Sequence, residues 1–502
     1  MEKPEVQTIS VVEEKEIVKN INVDYKTNLP SLEINKILNV CTSIFNVKAE
    51  RKDDKIVYEG KVFFQTIYID NNGNLKKSEA GQSFSGEEEY NASCESCEVF
   101  VRAEEVKTEF DASGIKVGIN TILKLILKIK EERQNSLIKG CQDLVVKKLE
   151  VPIVKVLDCK TITYPVEEDF EVNYQIKEVL SQNCTAHITS VQCGVNCVIV
   201  DGEISFCALL LQNDENSSII REEKNIPFRV ELESQPSMPA YYSDATAVIR
   251  SFKTDVAVDG ENNKSTFTVL VNLDFSFEVK AEERCDVAVD CFCKDKELSL
   301  NYGKYTYQTT CPVRVMEENL VFRMPINAEL VLDARCVAVY NSQVEIAEVQ
   351  TKGKGLEISG VYSVVGIFYS LEEGYLPVKL ETPFSYVLDV NLPQGADIEV
   401  IASAKNDNIK MISLKESEIS TTIVTTIRCK TKEEFSIIEN VEEAGDKKVE
   451  TSAISVYIGL KGEDLWSLAK RLNVTEGELL SANEELKFPL TGKERIVVYR
   501  QK

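Results

Sequence analysis

The sequence predicts a mainly β protein, with three repeated antiparallel β-domains, sandwich or barrel-like, and a small α+β module at the C-terminus. Apolar and polar residues alternate through most of the chain, which is the period of a half-buried strand. One strand–glycine–strand pattern occurs three times, and helical periodicity appears only after residue 453. The body is therefore expected to be built from strands and the tail from a strand–helix–helix–strand unit.

Length and composition set the limits of this prediction. At roughly 100–200 residues per domain, 502 residues correspond to several domains. Apolar residues make up 43% and charged residues 28%, the balance of a folded soluble protein. No apolar run is long enough for a membrane span. The first residues, Met-Glu-Lys-Pro-Glu-Val, lack the order of a signal peptide, so a cytoplasmic location is expected.

Net charge and cysteines restrict the partners and the compartment. The net charge of −24 disfavours nucleic acid and anionic membranes, because both are bound through basic surfaces. The same charge fits either a basic protein partner or a need for solubility alone. The 15 cysteines are scattered, and several, such as Cys197, Cys207 and Cys336, lie inside apolar runs. They are expected to be free thiols in a reducing compartment.

The repeat consists of an alternating strand, a glycine, a second strand and, further on, a phenylalanine. The three pairs are Gly60 with Phe84, Gly202 with Phe228, and Gly360 with Phe384. A glycine inside a strand indicates a bulge or a close backbone approach. Turn-forming residues at 70–74, 213–216 and 372–374 predict hairpins after each strand. Because the period is much longer than that of a solenoid, each copy is expected to be a self-sufficient domain.

These patterns predict the domain boundaries. The predicted units are an N-terminal segment 1–27, β-domains at 28–135, 160–300 and 308–436, an acidic linker 437–453 and the terminal module 454–502. The polar segment 131–150 is predicted to be a further linker. The acidic linker 437–453 is predicted to be a flexible tether.

The repeat resembles the SPOCS domain of spore-coat proteins over about residues 30–435. The first copy departs most, because Ser83 precedes its phenylalanine where the other copies have Pro227 and Pro383.

The terminal module shows the stripe of a short amphipathic helix in Leu465, Leu468, Ala469 and Leu472. Asp464 stands at the N-cap position of this helix. A capping box at 475–478 starts a second helix. Apolar strands are predicted at 454–458 and 495–499.

This layout resembles a LysM module. The matching positions are Tyr457, Gly462, Leu465, Trp466, Ala469, Val474, Leu479, Leu480, Asn483 and 496–498. The sequence departs from the family pattern at Gly459, Asp464 and Glu484. The resemblance implies a ligand, commonly an N-acetylglucosamine chain, held between the loop before the first helix and the loop after the second.

Those two loops supply the predicted partner-binding residues. They are Gly462, Glu463, Asp464, Leu465, Asn483, Glu484 and Glu485. Ionised carboxylates only accept hydrogen bonds, which suits basic protein groups better than glycan, although a glycan ligand stays open. The predicted core of the module is Trp466, Leu468, Ala469 and Leu479. Trp466 fits either a ligand platform or this small core.

No catalytic residue, metal site or cofactor is predicted, and the chain is expected not to be an enzyme. The single histidine, His187, lies in an alternating run and is expected on a strand face rather than in acid–base chemistry. Cys94 and Cys97 form a C-x-x-C pair, but a structural zinc site takes four ligands and the other close cysteines have the wrong spacing.

The combination of SPOCS-like domains with a terminal LysM resembles spore-coat morphogenesis proteins of the SipL-like family. This resemblance implies a scaffold in the mother-cell cytoplasm at the forespore surface. It also implies that the LysM module docks the morphogenetic ATPase of the coat basement layer. The alternative is a cell-wall protein that binds the glycan of peptidoglycan, which would require export.

Overall fold

The prediction of a mainly β chain is confirmed by the computed structural model. The structure describes residues 5–30, 33–91, 96–110, 116–140, 144–214, 218–260, 263–326, 330, 333–353, 355–448 and 452–500. Over these ranges, the chain forms antiparallel sheets and two short helices near the C-terminus. Among the described residues, no helix combines the length and apolar character needed to cross a membrane.

The strands of the body are long. In chain order they are β1 (Glu5–Pro30), β2 (Ile34–Lys52), β3 (Lys55–Asp70), β4 (Leu75–Glu89), β5 (Ser96–Phe110), β6 (Lys116–Gly140), β7 (Val145–Val172), β8 (Ile176–Cys193), β9 (Cys197–Gln212), β10 (Ile219–Glu233), β11 (Tyr242–Asp259), β12 (Lys264–Phe292), β13 (Lys296–Thr310), β14 (Arg314–Pro325), β15 (Arg335–Lys352), β16 (Gly355–Ser370), β17 (Gly374–Leu388), β18 (Asp397–Ser413) and β19 (Glu416–Asp446). The C-terminal unit follows with β20 (Ile454–Ile458), α1 (Leu465–Leu472), α2 (Glu476–Ala482) and β21 (Arg495–Tyr499).

The body consists of three pairs of sheets. Sheets β2-β3-β4, β8-β9-β10 and β15-β16-β17 each face a second sheet, made of β1-β6-β5, β11-β12-β7 and β13-β19-β14 with β18, respectively. Each pair encloses its own buried cluster, in which Phe64, Phe206 and Tyr362 are among the largest side chains. The strands alternate buried and exposed residues, as expected for sheets that pack one face on a core.

The repeated glycine and phenylalanine lie directly opposite each other in all three central sheets. The paired residues are Gly60 and Phe84, Gly202 and Phe228, and Gly360 and Phe384. The phenylalanine ring covers the glycine so closely that a Cβ atom on Gly60 would lie 2.4 Å from Cζ of Phe84. Each glycine therefore makes room for a cross-strand aromatic ring that fills the core.

A further apolar cluster joins the three central sheets to one another. It contains Leu38, Ile67, Ile69, Leu180, Leu209, Leu211, Ile219, Ala338, Tyr340 and Ile367. The Tyr340 hydroxyl donates a hydrogen bond of 2.9 Å to the carbonyl of Leu38, which ties the third central sheet to the first. The three pairs of sheets thus share one interior region besides their own cores.

The strands also run past the boundaries that the sequence predicted. The segment 1–27 lies largely in β1, which pairs with β6 from residue 5 onwards, rather than forming a separate N-terminal segment. Residues 437–446 belong to β19, which pairs with β13, so they are not part of a flexible linker. Most of the segment 131–150 is likewise divided between β6 and β7. Charged strands of this kind are stabilised by backbone pairing, even where few apolar residues alternate.

These strand extensions contact one another outside the three pairs of sheets. The ends of β6, β12 and β19 pack together through Ile138, Ala288, Cys291, Ile438 and Val441. The C-terminal unit lies against this meeting point, as its contacts with β12 and with Lys447 show.

Among the described residues, free thiols are found at Cys41, Cys184, Cys193, Cys197, Cys207, Cys293, Cys311, Cys336 and Cys429. Burial raises the pKa of Cys41, Cys184 and Cys336 to about 12. Thiols with such a pKa stay protonated at neutral pH and are poor nucleophiles.

Candidate partner-binding site in the C-terminal unit

The C-terminal unit is a two-stranded antiparallel sheet, β20–β21, with two helices between its strands. Asp464 caps α1 by accepting a hydrogen bond of 2.7 Å from the backbone N–H of Ser467. Thr475 and Glu478 form a capping box at the start of α2. Asn473 ends α1 in the left-handed conformation, with φ of 60°. The local sequence therefore sets both helix starts and the turn between them.

The unit has its own apolar core. Leu468, Ala469 and Leu479 are buried in it. The other fully buried members are Leu472, Val474, Leu490, Ile496 and Val498. Leu465 packs against this cluster from its edge.

Trp466 lies outside that cluster and is buried against the body of the protein. Only 6% of its surface is exposed. Its ring lies 5.6 Å from the ring of Phe292, measured between centroids. Its indole N–H donates a hydrogen bond of 2.7 Å to Asp290. The ring thus serves the contact between the unit and strand β12.

Glu463, one of the predicted partner-binding residues, is committed to contacts within the unit. Its two carboxylate oxygens accept hydrogen bonds of 2.7 and 2.8 Å from Arg471. It also accepts a hydrogen bond of 3.1 Å from the backbone N–H of Leu460. The hydrogen bond from Arg471 lowers the pKa of Glu463, and only 7% of its side chain is exposed. This carboxylate shapes the loop before α1.

Asp464 also makes contacts within the protein. Its hydrogen bonds from Ser467 lower its pKa, and Lys147 of strand β7 lies 3.8 Å from its second oxygen. The neighbouring Gly462 adopts a φ of +84°, which favours glycine. The cap at Asp464 and the backbone conformation of Gly462 therefore set the sharp turn before α1.

Backbone hydrogen bonds tie the two predicted ligand loops together. The N–H of Gly462 donates to the carbonyl of Leu490 at 2.8 Å, and the N–H of Leu490 donates to the carbonyl of Glu463 at 3.0 Å. These two backbone N–H groups are consequently not available to a ligand.

Asn483 joins α2 to strand β21. Its amide N–H₂ donates to the carbonyls of Leu479 and Val497, at 2.9 and 2.7 Å. Its carbonyl oxygen accepts a hydrogen bond of 2.8 Å from the N–H of Val497. The next two residues, Glu484 and Glu485, are exposed. Of the seven predicted loop residues, these two acids face solvent as a pair beside the joined loops.

The body offers a second candidate, a cavity of about 760 Å³ that is lined by strands from all three pairs of sheets. This volume lies in the range of small-molecule sites. Arg221 at its wall is already paired with Glu223 and with Asp407, whose carboxylate lies 3.1 Å away. Asp407 also accepts hydrogen bonds of 2.7 Å from Tyr362 and Thr421. The charges at this wall hold β10 to the third pair of sheets.

The residues considered for chemistry are dispersed. Nε2 of His187 lies 3.1 Å from the hydroxyl of Ser403, and burial together with nearby Lys405 lowers the pKa of this histidine. Cys97 lies in β5, whereas Cys94 falls outside the described residues. In the described part of the chain, no group of three or more His, Cys, Asp or Glu residues is arranged to hold a metal ion.

The contact surface on the body was not predicted from the sequence. Asp290, Phe292 and Lys294 touch the C-terminal unit through Trp466 and Glu478. The available signal was the spacing of Asp290 and Phe292, which lie two residues apart at the end of a strand. A second signal was the spacing of Trp466, Lys470 and Asn473 on one helix face.

Comparison with protein-family models, curated proteins and solved structures finds no match to this chain.

Proposed function

We propose that this chain is a non-enzymatic scaffold of endospore envelope assembly, in the coat or cortex, whose C-terminal LysM-like unit docks a spore morphogenetic protein. The observation that carries the proposal is the small unit with its own core, joined to three sandwiches that repeat one glycine–phenylalanine pairing. The sequence motifs that resemble the SPOCS and LysM families fall on these elements.

The repeated pairing supports the interpretation of the body as three SPOCS-like domains. In each central sheet, the glycine lies on the middle strand and the phenylalanine on the strand that follows it. Local sequence similarity alone would not require the same register in three places. A body of three fused domains offers a broad rigid surface, which suits a scaffold.

The geometry of the joined loops favours a protein partner over glycan. Recognition of a neutral sugar chain relies on backbone donors and small hydroxyl groups, and the N–H groups of Gly462 and Leu490 are used between the loops. The exposed pair Glu484 and Glu485 accepts hydrogen bonds and carries negative charge. A cationic protein surface complements it. By resemblance, the partner is the morphogenetic ATPase of the coat basement layer, met in the mother-cell cytoplasm at the forespore surface.

Pull-down of the full chain tests this function. The chain is offered the purified coat ATPase and, separately, purified peptidoglycan. We expect retention of the ATPase by the wild type and its loss on joint substitution of Glu484→Lys and Glu485→Lys. The matched control is Glu372→Lys with Glu373→Lys, another exposed adjacent pair of acids, in the hairpin between β16 and β17. The control changes the net charge equally and should bind normally.

Two outcomes would defeat the proposal. One is retention of the chain on peptidoglycan with no retention of the ATPase, which would favour a cell-wall protein. The other is equal loss of binding by both charge-reversed pairs, which would show that the net charge rather than the loop is recognised.

A further inference from the structure

Helix α1 has two contact faces that serve different purposes. Leu468 and Leu472 point into the core of the C-terminal unit. Trp466, Lys470 and Asn473 follow at i, i+4 and i+7, a spacing that places them on one side of a helix. All three contact the body. A helix in a self-contained unit needs only the first face, so the second one requires a separate explanation.

The body presents a matching surface at the end of β12, here called the tip, which comprises Asp290, Phe292, Lys294 and Lys447. Asp290 and Phe292 lie two residues apart on β12 and so share one face, and Lys294 follows the end of that strand. A register shift between Ala288 and Asp290 interrupts the pairing of β12 with β7 immediately before them. Such a bulge turns the following side chains to a new direction.

The centre of the contact is Asp290. One carboxylate oxygen accepts the indole N–H of Trp466 at 2.7 Å, and the other accepts Nζ of Lys470 at 2.6 Å. The second oxygen is held from the body side by the N–H of Cys291 at 2.8 Å. Burial alone would raise the pKa of Asp290, but the hydrogen bonds from Lys470 and Trp466 outweigh it and the pKa is lowered. The carboxylate is therefore charged and oriented towards α1.

The perimeter of the contact is polar and solvent-accessible. Lys294 lies 2.9 Å from both carboxylate oxygens of Glu478, with 42% and 48% of the two side chains exposed. The Asn473 amide donates to the carbonyl of Lys294 at 2.7 Å, and Lys447 donates to Asn473 at 3.0 Å. Exposed ion pairs contribute little to stability and are screened by salt. The contact thus combines a hydrogen-bonded centre with a weak rim, as expected for a reversible interface.

We propose that the tip is an intramolecular docking site that covers the Trp466 face of α1, so that the chain presents this face to a partner only after the C-terminal unit undocks. Docking occupies the only tryptophan of the chain, an amphipathic side chain of the type that dominates protein interfaces. The short connection from the end of β19 to β20 keeps the unit near the tip, which favours redocking. The regulatory part of this inference rests on the proposed function, whereas the docking does not.

The effect on partner affinity follows from the populations. If the partner needs the Trp466 face, its apparent dissociation constant exceeds the intrinsic one by the inverse of the undocked fraction. If about one molecule in ten is undocked, removing the contact strengthens binding about tenfold. A partner that ignores this face gains nothing.

Fluorescence of Trp466 measures the docking directly in the full chain, because no other tryptophan is present. The variants are Asp290→Ala, which removes the centre, and Lys294→Glu, which repels Glu478; neither alters the C-terminal unit itself. Asp286→Ala is the matched control, since it removes an exposed carboxylate from the same strand. We expect both tip variants to shift the emission to longer wavelength and to increase quenching by acrylamide, with the control unchanged. Protection of the Leu468 and Leu479 amides from hydrogen exchange checks that the unit stays folded.

The outcomes separate the two parts. A wild-type tryptophan quenched as readily as free tryptophan, or two tip variants identical to the wild type, overturns the docking. Docking confirmed by fluorescence, with equal affinity of the wild type and Asp290→Ala for the coat ATPase, overturns the regulation. Tighter ATPase binding by Asp290→Ala and not by Asp286→Ala supports it. An ATPase that binds none of these proteins counts against the proposed function, while the fluorescence still decides the docking.

Discussion

Replacing Gly60 by alanine tests whether the repeated glycine exists to make room for an aromatic ring. A Cβ atom at this position would lie 2.4 Å from Cζ and 2.8 Å from Cε1 of Phe84. Contacts under 3.0 Å force a shift, and Phe84 is only 6% exposed, so its ring has little room to move. Overpacking of this kind costs about 1–3 kcal/mol of unfolding free energy.

The equivalent change at Gly202 meets a different obstacle. Its Cβ atom would lie 2.3 Å from Cζ of Phe228 and also 2.4 Å from the backbone carbonyl oxygen of His187 on the neighbouring strand. A ring can rotate, but a strand carbonyl moves only if the sheet distorts. We therefore expect Gly202→Ala to reach the upper end of that range, about 3 kcal/mol, and Gly60→Ala to cost less.

Urea unfolding of single and double variants separates the two causes. Phe84→Leu should relieve most of the cost of Gly60→Ala, which gives a coupling free energy of about 1 kcal/mol or more. Phe228→Leu should leave most of the cost of Gly202→Ala in place. Gly477→Ala is the control: no atom lies within 4 Å of its Cβ position, so this helical substitution should stabilise the chain. Equal relief at both sites, or no cost at Gly60, would refute the reasoning.

Three further predictions concern single polar residues. Thr475→Ala removes the hydroxyl of the capping box and should cost about 1 kcal/mol in urea unfolding of the C-terminal unit, with an unchanged midpoint contradicting the assigned cap. Glu278 is buried, which would raise its pKa, but Lys280 and Lys130 hold it at about 2, below the ordinary 4.5. The ionised Glu278 therefore stabilises the fold fully above pH 4.5, and this stabilisation is lost as the pH falls through about 2. The difference in Tm between the wild type and Glu278→Gln should shrink over that range of pH. A difference in Tm that is independent of pH would exclude this role. Glu463→Gln should lower the stability of the C-terminal unit by about 1 kcal/mol through the loss of its ion pair, and thermal unfolding identical to the wild type would show that the carboxylate is free for a partner.

The sequence was most informative where periodicity and capping agree. The apolar stripe of α1 and the capping box at 475–478 predicted helices close to where the structure has them. The alternation around Gly60, Gly202 and Gly360 placed the central strands for the same reason, since one face of each is buried.

Strand ends were predicted poorly because they are rich in charged residues. Residues 437–446 contain several acids and few large apolar groups, which is also the composition of a linker. In the structure, β13 pairs with them through the backbone, and a backbone hydrogen bond does not depend on the side chain. Composition therefore could not distinguish a paired extension from a tether.

The role of Trp466 could not be predicted from the sequence for a related reason. Its helical position allowed a core or a ligand platform, and both interpretations kept it within the C-terminal unit. Its partners Asp290 and Phe292 are distant in sequence, and no local pattern links two such segments. Glu463 was assigned to a ligand because it lies in a loop that binds the ligand in the family that the unit resembles. In the structure its carboxylate is paired with Arg471 on the following helix.

The apolar cluster common to the three central sheets gives this chain the character of a trimer whose subunits cannot dissociate. Leu38, Leu180 and Tyr340 come from different sandwiches, and all three are buried in this one cluster. Covalent connection makes this assembly independent of concentration, so dilution cannot separate it as it separates three free subunits. The same arrangement makes truncation costly, because a fragment with only two sandwiches would expose an apolar surface where the third belongs and would tend to aggregate.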